Sequence, residues 1–293
     1  MRLTPVPIAL VALTIGASLI VPMPIKGRAG NALLDLGHAP AFGLLTIMAF
    51  GATRPRWRGS RLALIALVWV ILVGLGGLAE VVQGWTGRHP SLHDAVANAL
   101  GVTAGLLVAT WPSGASRWGR LGRVLAIVGL VAGPSMPALT TLADCTLEPF
   151  EMPVLASFES SREMTRWEFQ ECRATRSRDH VTDSSKSLRL DLGPGIYPGA
   201  TLAWPVGDWS GYRTLQFDAF LAPGPPLDLV VKIEDESGRG RSERIFRLNP
   251  GPNRVRIALA GVRLDFRQVR RLQFFVDGLD RMVTVWLDGV RLE

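Results

Sequence analysis

Acid is almost missing from the first half of this 293-residue chain. Met1 to Ala143 hold three acidic residues, Asp35, Glu80 and Asp94, against eleven basic ones, while the rest holds 22 acidic and 21 basic. The overall charge of +7 is therefore a property of the first half. It does not mark a nucleic-acid binder, which gathers Lys and Arg on a soluble face with aromatics between them. Here the arginines cluster between apolar runs. Cysteine is equally scarce, Cys145 and Cys172 being the only two. They leave room for one disulfide, in an oxidising compartment, and for no Cys/His zinc spacing. The second half also lacks a Ser-His-Asp arrangement and a phosphate-cradling glycine loop, so it reads as a binding or scaffolding module, with no sequence evidence of its own catalysis.

What the first half does contain is apolar runs of lipid length, at about 7–25, 36–53, 62–85, 93–111 and 122–142. They predict an all-α polytopic membrane bundle of about five transmembrane helices over residues 1–143. Arg54, Arg56, Arg58 and Arg61 fill the second loop and Arg117, Arg120 and Arg123 the fourth. The positive-inside rule puts those loops and the N-terminus in the cytoplasm and everything after residue 143 outside, with Lys26 and Arg28 as a weaker opposing signal. Arg2 and the first run also resemble a signal peptide. Without a clear small-x-small cleavage site after Pro22 and Pro24, a retained helix is the expectation. The glycines and prolines of the fifth run, Gly129, Gly133, Pro134 and Pro137, predict a kinked or partly unwound outer half.

Carboxylates inside such runs are costly and normally face a partner or a water-filled cavity. Glu80 and Gln83, at i and i+3, share one face of the third run. Asp94, Asn98, Gly101 and Gly105 form one stripe on the fourth, polar at its upper end and small enough below for close helix packing. Asp35 and His38 begin the second run, with Pro40 in its first turn, and a short turn between the third and fourth runs carries Arg88, His89 and Ser91. These polar groups would all gather on the extracytoplasmic side. One reading is a structural pair, Glu80 or Asp94 tied to Arg88. The other is a functional site.

The pattern Asp35/His38, Glu80-x-x-Gln83, Arg88, Ser91, Asp94 and Asn98-x-x-Gly101-x-x-x-Gly105 resembles the VanZ-like family of small membrane proteins over about residues 7–112. The resemblance implies a place in the bacterial cell envelope and a link to glycopeptide (teicoplanin) resistance, with no established reaction.

After a linker at 144–152, the apolar period changes to two. Leu188/Leu190/Leu192, Leu215/Phe217/Ala219, Leu229/Val231/Ile233, Val255/Ile257/Leu259 and Val283/Val285/Leu287 alternate with polar residues between Gly/Pro-rich loops. This predicts an all-β antiparallel sandwich over 153–293. Phe158-Glu159, Asp208-Trp209-Ser210-Gly211-Tyr212 and Trp286-Leu287-Asp288-Gly289 are similar to galactose-binding-like jelly rolls, the fold of many carbohydrate-binding modules. That resemblance implies Glu159 and Asp288 as candidates for a structural Ca²⁺, with solvated surface carboxylates as the alternative. A sugar site needs an aromatic platform, for which Trp204, Trp209, Tyr212 and Trp167 are the available rings. Trp204 is the candidate, because Trp209 and Tyr212 lie where the sandwich closes.

The expected protein is thus a multi-pass inner-membrane protein whose partners are the bilayer and an envelope glycan or lipid-linked precursor. In an enzymatic version, His38, Glu80 and Asp94 supply acid–base chemistry, and Asp35, Gln83, Arg88, Ser91 and Asn98 bind substrate. In a non-enzymatic version the same residues are a structural cluster in an anchor or sensor. A transporter comes third, since the polar residues trace no path across the bilayer.

Overall fold

Long stretches of Leu, Val and Ala with almost no charge become four long helices in the computed structural model, which describes residues 27–85, 91–182 and 185–293. These are α1 (Arg28–Thr53), α2 (Arg61–Trp85), α3 (Leu92–Ala109) and α4 (Arg117–Leu147). All four are long and apolar enough to cross a membrane. The first apolar run, 7–25, lies outside the described residues. The chain divides into two compact units, Met1–Leu139 and Thr140–Glu293.

In the helical unit, Phe42, Phe50, Leu64, Val68, Leu72, Val102 and Leu106 interlock as a core between α1, α2 and α3. The closest seam is α1 against α3. A Cβ at Gly101 would lie 2.2 Å from the Ala39 carbonyl oxygen, and one at Gly105 2.4 Å from that of Gly43. Only hydrogen at these positions lets the backbones meet. At one end of the bundle, Arg61 donates to the Thr110 carbonyl (3.2 Å), and Arg123 donates to the Leu107 carbonyl (2.9 Å) and the Thr110 hydroxyl (2.8 Å). The starts of α2 and α4 therefore share the Thr110 end of α3.

Three expectations need correction here. The second run enters its helix at Arg28, two turns before Asp35, because Ala29, Ala32, Leu33 and Leu34 are good helix formers even where Asn31 interrupts the apolar run. Pro40 consequently sits in the helix interior, without a first-turn role. The fifth run is an unbroken helix through Pro134 and Pro137, so neither proline unwinds it.

The residues expected to form a linker, 144–152, are also structured. Asp144 and Glu148 are buried, the first in the last turns of α4 and the second opening a 3₁₀ turn, Glu148–Glu151. Asp144 accepts two bonds from Arg166, from Nε and Nη2, both 2.9 Å, and a third from Arg162 Nη1 (2.9 Å). Glu151 bonds both arginines, and Arg166 also donates to the Leu155 carbonyl (2.9 Å). Hydropathy could not register this because the partners lie about twenty residues apart.

The second unit is a sandwich of two antiparallel sheets. The first holds β3 (Cys172–Ser177), β4 (Ser187–Leu192), β11 (Val283–Leu292), β6 (Thr214–Leu221) and β9 (Gly251–Ala258) in that order, with β1 (Val154–Ala156) pairing β11. The second holds β2 (Trp167–Gln170), β5 (Gly199–Ala203), β10 (Val269–Phe275), β7 (Leu227–Asp235) and β8 (Arg241–Leu248). From β4 onward every connection except the β7–β8 hairpin crosses between sheets, which is jelly-roll wiring. The alternating Leu, Val, Ile and Phe residues named above point inward and form one core, joined by Phe158, Trp167, Trp209 and Phe274. No disulfide joins Cys145 and Cys172. Burial pushes the Cys172 thiol up in pKa, and its Sγ lies 3.1 Å from the Gly199 carbonyl.

At the β7–β8 turn, Asp235 accepts from Ser237 Oγ (2.6 Å), Gly240 N (3.3 Å) and Asp265 N (3.2 Å). The Ser237 bond first, then the backbone donors, hold its carboxyl below the usual carboxylate range despite desolvation. A carboxyl depressed on folding stabilises above its unfolded pKa of about 3.9, and that contribution is lost as pH falls through the folded value. Asp235→Asn should therefore flatten the acid limb of a stability–pH profile below about pH 4, with melting temperature against pH as the measurement.

Candidate functional site

Three helices converge on one buried polar cluster. His38 comes from α1, Glu80 from α2 and Asp94 from α3, and each is almost fully enclosed. One ring nitrogen of His38 and one oxygen from each carboxylate lie within 4.8 Å of one another. His38 Nδ1 is 3.0 Å from Asn98 Oδ1 and 3.9 Å from Glu80 Oε1. The Ser91 backbone N–H donates to Glu80 Oε2 (3.2 Å), while the Ser91 hydroxyl caps α3 by accepting from Asp94 N (3.3 Å). Gly76 is what lets Asn98 in, since a Cβ there would lie 3.1 Å from Asn98 Cβ.

Of the residues expected here, His38, Glu80, Asp94 and Asn98 thus come together. Gln83 is buried one turn beyond Glu80, and Asp35 is half-buried on α1 one turn before His38. Ser91 serves the cluster through its backbone and as a helix cap. Arg88 lies outside the described residues. Three atoms of the cluster, His38 Nε2, Glu80 Oε1 and Asn98 Nδ2, are buried without a hydrogen-bond partner among the described residues.

The sandwich carries a second site, on the outward face of its five-stranded sheet. Antiparallel register aligns Gln170, Gly199, Phe275, Val230 and Ile245 in one row across all five strands. Beside it runs Glu168, Thr201, Gln273, Lys232 and Glu243. All of these except Glu168 line a groove of about 410 Å³, together with Tyr197, whose ring meets Phe275 edge-on at 5.7 Å. Gly199 lies tight against β10, where a Cβ would come 2.2 Å from the Phe274 carbonyl oxygen and 2.7 Å from Phe275 Cβ.

None of the expected platform rings lines this groove. Trp209 and Trp167 are buried in the core, and Tyr212 packs against it. Trp204 is half-buried at the end of β5 with Arg270 5.3 Å over its ring. The groove residues were legible only as the outward partners of inward ones, with Lys232 between Val231 and Ile233 and Phe275 beside Phe274. Which outward face is concave depends on strand order.

Glu159 and Asp288 serve one loop from two sides. Glu159 accepts from Ser185 N (2.6 Å), Ser185 Oγ (2.7 Å) and Lys186 N (2.7 Å). Asp288 accepts from Thr182 N (2.7 Å) and Oγ1 (3.0 Å). Those carboxylate oxygens already have protein donors.

Neither a protein-family model nor a curated protein matches the sequence. Among solved structures the chain is similar to an exo-beta-agarase, at 18% identity and a TM-score of 0.44 over 48% of this chain and 24% of that one. It is also similar to a family 11 carbohydrate-binding module from Clostridium thermocellum in complex with a beta-1,3-1,4-mixed-linked tetrasaccharide, at 14% identity and 0.40 over 48% of this chain and 94% of that one. A carbohydrate-binding module specific for non-crystalline cellulose gives 15% identity and 0.36 over 48% and 94%. This chain spans about a quarter of the agarase's length. At such identities the likeness says nothing of which ligand this groove takes. The VanZ-like resemblance of residues 7–112 rests on its own motif residues alone.

Proposed function

We propose that this chain is a multi-pass protein of the bacterial inner membrane whose exported sandwich binds an envelope glycan. The observation that carries the reading is the groove. Tyr197 and Phe275 offer ring faces and edges to the C–H face of a pyranose, while Gln170, Thr201, Gln273, Lys232 and Glu243 stand within the same hollow to take hydroxyls. Its volume, about 410 Å³, falls in the range of sites that enclose small ligands.

Membrane residence is supported by the outward faces of the helices, where Leu62, Val70, Leu78, Leu125 and Val128 are exposed apolar side chains among the described residues. The shared Thr110 end of the two arginine-rich segments is consistent with one cytoplasmic face. The VanZ-like resemblance adds the envelope as compartment and glycopeptide resistance as the process to examine.

The test is calorimetric titration of the full chain in nanodiscs with soluble glycan oligomers. Binding is expected, and Phe275→Ala with Tyr197→Ala should weaken it at least tenfold at unchanged melting temperature. A folded protein that ignores every oligomer, or binds equally well without both rings, rules the groove out.

Acid–base chemistry at the helical cluster is the second reading, favoured by His38 Nε2 and Glu80 Oε1, which have no hydrogen-bond partner among the described residues. In that reading Glu80→Gln and Asp94→Asn abolish function while membrane level and melting stay intact. Loss of the folded protein instead would identify a structural cluster.

A further inference from the structure

The geometry points to a divalent metal site at His38, Glu80 and Asp94, filled by a first-row cation of the Zn²⁺ class. This goes beyond glycan binding and does not depend on it. Three potential ligands arrive from three different helices, all inside the unit and all within 4.8 Å of one another. Among the described residues these two enclosed carboxylates face a single imidazole, which cannot offset their desolvation cost, whereas a divalent cation matches both charges. Glu80 Oε1 is the independent sign of a missing ligand. It is buried, has no hydrogen-bond partner among the described residues, and lies 3.9 Å from His38 Nδ1.

The surroundings orient the ligands as metal sites require. Asn98 Oδ1, 3.0 Å from His38 Nδ1, fixes the imidazole, and the Ser91 N–H on Glu80 Oε2 (3.2 Å) fixes the carboxylate with Oε1 left over. One nitrogen and two carboxylate oxygens suit a borderline cation; the absence of sulfur from the set disfavours Cu⁺, and the imidazole disfavours Ca²⁺. Tetrahedral zinc ligands stand about 3.4 Å apart, so the present spread closes by small side-chain rotations. Three protein ligands leave a fourth position for water or substrate.

The full chain, purified in detergent with any affinity tag removed and stripped with a chelator, should take up one Zn²⁺ per chain in competition with a chromophoric chelator. Zinc should also raise its melting temperature. Glu80→Gln, Asp94→Asn and His38→Gln should each weaken uptake at least tenfold, and Asn98→Ala about tenfold through the imidazole it holds. Folded wild-type protein that binds no zinc, and melts alike with and without it, overturns the proposal whatever the variants do. So does saturable binding that Glu80→Gln leaves unchanged, because the ion would then sit elsewhere.

Discussion

Gly101→Ala should disrupt the helical unit, although it adds a single methyl group. The new Cβ would lie 2.2 Å from the Ala39 carbonyl oxygen and 2.9 Å from Ala39 Cα, both backbone atoms that no rotamer change can move. Either α1 and α3 part or both bend. Overpacking of this kind costs about 1–3 kcal/mol and more where the backbone must shift. Ala39 is next to His38, so parting the helices also draws His38 away from Asn98, 3.0 Å distant. A Cβ at Gly74 or Gly77 on α2 would meet nothing within 4 Å among the described residues, and alanine at either should stabilise by up to about 1 kcal/mol through helix propensity. Thermal unfolding of the full chain in detergent compares the three. If Gly101→Ala melts with Gly74→Ala, α1 and α3 are not in backbone contact.

Asp144→Ala should be the most damaging substitution in the sandwich unit. Asp144 and the Arg166 side chain are fully enclosed, and the carboxylate takes both prongs of the guanidinium at 2.9 Å. Removing one partner of a buried pair costs about 3–5 kcal/mol, since the charge left behind has lost its water and its counter-ion. Glu151 still faces Arg166, so the lower end, about 3 kcal/mol, is expected, or roughly 6–12 °C in melting temperature for a unit of this size. Asp144→Leu combined with Arg166→Met removes both charges and should be milder than either change alone. A double variant as unstable as the sum of the singles would show that the pair's packing, and not its charge, is what holds.

The contrast between the two halves explains what could be read from residues alone. The period-two stretches at Leu188, Leu215, Leu229, Val255 and Val283 became β4, β6, β7, β9 and β11 because one face of each packs the core. Edge strands β3 and β8 gave no such signal. Arg241–Leu248 is mostly exposed, so neither face demanded apolar residues. In the helices the polar stripe was visible because hydrocarbon-length sequence makes every Glu, Asp, His and Asn conspicuous. Its convergence was not, since the spacing along one helix fixes a face but not which neighbour it meets. The groove stayed hidden for the same reason: its rows join residues from five strands spread over more than seventy positions.

The ion network at Asp144 also bears on how such a sandwich could be exchanged between proteins. Composition invites a cut near Pro153, where strand-forming sequence begins, yet that cut would strand Arg166 in the interior without its carboxylate. The portable piece begins inside α4, near Thr140. Any recombinant fusion, protease product or natural shuffling event that keeps this module intact must inherit the final turns of the helix ahead of it.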